Sequence, residues 1–127
     1  MYSRMKYNEG WEDDTLEDLL IETLGQLGYP VFLQGSLTEQ YPESFFTYWN
    51  NESDDESFYD NEPHSILWIY DVIFYSEDPE LVYCIMKDVK KKLKDNRFIV
   101  TENGNSIKSD EPTHIGRGMK VLYKQMI

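Results

Sequence analysis

The chain has one cysteine, two histidines and no long apolar run, and its first two thirds are nearly without positive charge. Each shortage excludes something. A single thiol, Cys84, cannot close an internal disulfide, which fits a reducing, cytoplasmic folding environment. Without a run of about 18 apolar residues there is no candidate membrane-spanning helix. The N-terminal MYSRMKYNEGWEDD also lacks the apolar stretch of a signal peptide. His64, His114 and Cys84 form no HxxxH or CxxC spacing, so no zinc site is expected. The run ESDDESFYDNE lacks the glycine and the acidic spacing of a calcium loop. No cofactor and no metal is expected. There is no G-x-S-x-G elbow, and the glycines of IGRG come without a P-loop lysine.

Cations are scarce in one place only. Residues 1 to 86 hold Arg4 and Lys6 against nineteen Asp and Glu, a net of −17. Residues 87 to 127 hold ten Lys and Arg against five acids, a net of +5, within a total of −12. Phosphate neutralisation by such a chain is disfavoured. The asymmetry suits association between copies or with a charged partner, or else a solubilising acidic surface.

What is present is 127 residues, 40% hydrophobic and 15% aromatic, enough for one domain with one core. Residues 1 to 11 read as a loose arm. In EDDTLEDLLIETLGQLG, the leucines at 16, 19, 20, 24 and 27 recur at helical spacing. They predict a helix over about residues 14 to 27, capped by Asp14 with Glu17 and ended by Gly28. PVFLQG and ESFFTYWNN read as strands. Residues 51 to 64, acidic and turn-rich, read as a long solvated loop. HSILWIYDVIFYS is apolar on both faces, the mark of a central strand. Asp71 interrupts it, which places that residue near a sheet edge or against a partner. In SEDPELVYCIMKDVKKKLKDN, Asp78 caps a second helix with Pro79 at its first position. Its stripe is Leu81, Val82, Ile85, Met86, Val89 and Leu93, with Cys84 off the stripe and lysines in the last turns. RFIVT, IKS and GMKVLYKQMI supply the closing strands, and residues 65 to 101 form a β-helix-β piece that suggests a right-handed crossover. The fold class is α+β: one mixed or mainly antiparallel sheet with two helices on one face. The opposite face is then partly uncovered and needs another chain or a loop over its aromatics.

The segment SDEPTHIGRGMKVLY invites a catalytic reading, with His114 as a general base oriented by Asp110 and with Glu111 and Arg117 alongside. No further groups converge on it in the sequence. The simpler reading makes Pro112, Gly116 and Gly118 a bend into a last strand that begins near Met119. The aromatics Tyr48, Trp49, Trp68, Tyr70 and Tyr75 suit base stacking only with a basic groove beside them. Core packing or a protein interface is the better use.

Taken in order, the leucine helix, PVFLQG, SFFTYWN, YDVIFYSEDPELV and SDEPTHIGRGMKVLY resemble the tail-terminator, or tail-completion, proteins of long-tailed bacteriophages and prophages of Gram-positive bacteria. The resemblance runs over about residues 14 to 125. It implies a structural protein without enzymatic activity. Members of that family form a ring, typically a hexamer, that caps the tail tube, stops its polymerisation and meets the head connector, with DNA passing through the lumen. The implied location is the virion tail, and the host cytoplasm during assembly. Asp54, Asp55, Glu56, Asp71, Asp110, Glu111, His114 and Arg117 are then candidates for contacts with neighbouring subunits or partners. Two alternatives stay open: a neighbouring head–tail joining protein, and an acidic DNA mimic that occupies a host DNA-binding enzyme.

Overall fold

The computed structural model describes residues 11–36, 40–59, 62–109 and 112–126. Seven elements follow one another: α1 (Trp11–Gly25), β1 (Val31–Leu33), β2 (Ser44–Tyr59), β3 (Glu62–Ser76), α2 (Pro79–Asp95), β4 (Asn105–Ile107) and β5 (Ile115–Met126). The strands form one mixed sheet in the order β1-β2-β3-β5-β4, so the fold is α+β. β1 runs parallel to β2, and every other pairing is antiparallel.

β3 is central, as its two apolar faces require. One row of its side chains, Tyr70, Val72 and Phe74, is fully buried. By register these stand beside Phe46 and Tyr48 of β2 and Met119 and Val121 of β5. All of them enter one buried cluster with Leu16, Leu20 and Leu24 of α1 and the stripe of α2. Phe46 and Phe74 lie 4.8 Å apart between ring centroids, and Tyr29 meets Phe74 edge-on at 5.2 Å. Phe46 and Phe74, both fully buried, each contribute about 1.5–3 kcal/mol of apolar burial.

α2 follows its local signals closely. The Asp78 carboxylate accepts from the Glu80 backbone N–H at 3.1 Å, Pro79 opens the helix, and Val82, Ile85, Met86, Val89 and Leu93 are buried. α1 departs from expectation at its start. It begins at Trp11, so Asp14 lies within the helix rather than at its start. Residues 1–10 lie outside the described residues.

Two further expectations are corrected. Within the acidic stretch from 51 to 64, residues 51–59 and 62–64 are strand, not loop: residues up to Tyr59 continue β2, and β3 begins at Glu62. Asp54, Asp55 and Glu56 pair with Leu67, Ile66 and Ser65. The apolar β-formers of β3 carry that pairing, and composition alone hides it. The second correction concerns the end of the chain. β5 starts at Ile115, so Gly116 and Gly118 are strand residues rather than a bend before it. They are small because the sheet is crowded there. A Cβ on Gly116 would sit 2.7 Å from the Tyr75 ring, and one on Gly118 would sit 3.0 Å from Ile73 Cγ1. RFIVT contributes only an isolated bridge, Ile99 to Leu122.

Candidate functional site

Asp71 occupies the middle of the central strand, on the face turned away from the buried cluster, which removes the sheet-edge reading. It forms a cross-strand row with Trp49 of β2 and Lys120 of β5. Lys120 Nζ donates to its Oδ1 at 3.3 Å. On the other side, Asn51 Nδ2 donates to Oδ2 at 3.1 Å. Asn51 is the extra residue of a bulge, where the β2–β3 register shifts between Asn50 and Glu52. The bulge is what aims its side chain at Asp71. Trp49 stays 49% exposed. The row borders a shallow, open depression of about 430 Å³ with Gln34, Asn105 and Ile107 on its walls.

His114 belongs to the same side of the sheet but not to this depression. Its side chain is buried. Nε2 lies 2.8 Å from the Pro42 carbonyl oxygen, and Nδ1 lies 2.9 Å from Thr113 Oγ1. A carbonyl only accepts, so Nε2 donates to it, and Nδ1 is paired with the threonine hydroxyl. The ring also packs edge-on to Tyr41 and Phe45, each at 5.8 Å. It therefore clasps the 40–43 connection over Phe45 and Tyr75, and both of its nitrogens are occupied. A general base needs a free lone pair within reach of a substrate.

Arg117 points to the opposite face. Its guanidinium lies 5.0 Å from the centroid of the Tyr83 ring on α2, a cation–π arrangement. So the structure does not gather the expected residues. Asp71 is on the open face, His114 is sealed under a loop, and Arg117 stands beside α2. Asp54, Asp55 and Glu56 lie at register positions on the outer half of β2. Asp110 and Glu111 lie outside the described residues. The aromatic group divides too: Tyr48 and Tyr70 are core, Trp68 donates to Gln125 Oε1 at 2.7 Å, and Tyr75 packs on Phe45.

A surface that sequence reasoning passed over lies around Arg117. Lys87, Lys90, Lys91 and Lys94 of α2 line an open groove of about 690 Å³ with Tyr83 and Arg117. Its far wall is the turn before β4, where Lys90 Nζ donates to Asn103 Oδ1 at 3.0 Å. Gly104, at φ +100°, lets that turn close on Arg117; a Cβ there would meet Arg117 Nε at 3.1 Å. The lysines were legible as helix-terminal charge, but their convergence with Arg117 depends on the fold. Asp95 tempers the groove through a 3.8 Å ion pair with Lys91. That pair is exposed and contributes little.

Burial raises the Tyr48 phenol above its ordinary value of 10.0, and the Glu17 carboxylate adds to the rise. Among the described residues, no group of three or more His, Cys, Asp or Glu is arranged to hold a metal ion. No helix among them is long and apolar enough to cross a membrane. No protein-family model and no curated protein matches the chain.

Proposed function

We propose that this chain is a phage structural protein, a tail-terminator or tail-completion subunit that assembles as a ring on the tail tube, stops its growth and joins it to the head connector. The observation that carries this reading is the dispersal of the charged side chains. Asp71, His114 and Arg117 serve two faces of the sheet and a loop clasp, and they leave broad surfaces rather than a shared cleft. A subunit that contacts neighbours on several sides uses its surface in this way. The resemblance of the ordered segments to tail-completion proteins specifies the assembly. The passage of DNA suits a chain whose net charge of −12 avoids gripping phosphates.

A DNA mimic is supported less well, because it presents carboxylates alone and the lysine-lined groove runs against that. The test is to add the purified chain to polymerising tail-tube protein. Tubes shorten as the chain is added at ratios far below one per tube subunit. Tube lengths that stay unchanged at saturating chain overturn the proposal.

A further inference from the structure

We infer that the lysine-lined groove beside α2 receives the acid-rich β2 arm, Glu52 to Glu56, of a second copy of this chain, in a head-to-tail contact. Three observations lead there.

The groove is cationic in a strongly acidic protein. Lys87, Lys90, Lys91, Lys94 and Arg117 face one concavity of about 690 Å³. These are five of the twelve Lys and Arg in the chain, collected on one surface. Collected like charge repels itself and favours an anionic occupant.

The arm is its opposite in charge. Glu52, Asp54, Asp55 and Glu56 fall within five consecutive residues of β2. β1 pairs with β2 only from Phe46 to Tyr48. Beyond Tyr48, among the described residues, no strand covers the outer edge of β2. An uncovered edge rich in acids resists non-specific strand pairing. Its charge is complementary to a basic partner.

The two features lie at opposite edges of one sheet. The arm belongs to the β1–β2 edge, and the groove lies by the β4–β5 edge, where Arg117 pairs with Ser106. One chain's arm is thus placed for a neighbour's groove rather than its own. Repeating a contact between two different patches builds a ring when the rotation closes.

The inference rests on the self-assembly in the proposed function and not on the tail tube. It is tested with the full chain by sedimentation at low and high salt, with far-ultraviolet circular dichroism to verify folding. One variant reverses the groove (Lys87→Glu, Lys91→Glu, Lys94→Glu), and one reverses the arm (Asp54→Lys, Asp55→Lys, Glu56→Lys). The wild-type chain associates at low salt and dissociates as salt rises, because exposed pairs are screened. Each variant alone associates at least about tenfold more weakly. An equimolar mixture of the two regains association, because each reversed patch finds its complement. Neutral substitutions (Lys87→Gln, Lys91→Gln, Lys94→Gln) weaken association and substitute for a reversal variant that fails to fold. A wild-type chain that stays monomeric at low salt overturns the contact. So does association that ignores the substitutions, or a mixture that stays apart. Each of these leaves the tube-length assay to judge the wider reading separately.

Discussion

His114 and Pro42 are joined by a 2.8 Å hydrogen bond from the imidazole Nε2 to the proline carbonyl oxygen, across 72 positions of sequence. That bond ties the approach to β5 onto the connection before β2. It converts the most catalytic-looking residue of the chain into a clasp over Phe45, whose ring the imidazole also meets at 5.8 Å.

Replacing His114 by Ala removes both hydrogen bonds and the aromatic contacts from a buried position. The expected loss of stability is about 2–4 kcal/mol, measured by urea unfolding. A loss below about 0.5 kcal/mol, the range of ordinary surface substitutions, contradicts the clasp.

Gly116→Ala drives a methyl group against the Tyr75 ring, which Phe45 backs at a centroid distance of 5.3 Å. Overpacking of this kind costs about 1–3 kcal/mol. Gly118→Ala meets its neighbours at 3.0 Å and beyond and costs less. Thermal unfolding of the two variants gives the order. Equal midpoints, both unchanged from wild type, contradict the crowding account.

Tyr48 makes a contribution to stability that depends on pH in the alkaline range. Its phenol is raised above 10.0 by burial first and by Glu17 second, so the folded state favours the neutral form. The corresponding stability is fully present below pH 10, the unfolded value, and is lost as pH rises through the higher folded value. Tyr48→Phe removes this contribution. Stability of wild type minus variant, followed from pH 8 upward, is flat and then falls. A difference that stays flat above pH 10 contradicts the assignment.

Much of this architecture is legible in the residues themselves. Asp78 and Pro79 announce α2, and its apolar stripe is the stripe that is buried, with Leu81 only partly so. The run around Tyr70, apolar on both faces apart from Asp71, announces a central strand. The acidic arm is not legible, because its strand character comes from the partner strand from Ser65 to Leu67 and not from its own composition. The glycines mislead for a related reason: Gly116 and Gly118 are small to admit Tyr75 and Ile73, contacts that exist only once β3 and β5 pair. Arg117 shows the same limit. Its sequence neighbourhood suggests company with His114, but strand alternation sends it to the other face, where it meets the lysines of α2.

The most direct test of the central claim is electron microscopy of phage particles assembled without this protein. The proposed capping and joining role predicts overlong tails, or tails without heads. Particles with tails of normal length attached to heads would contradict it.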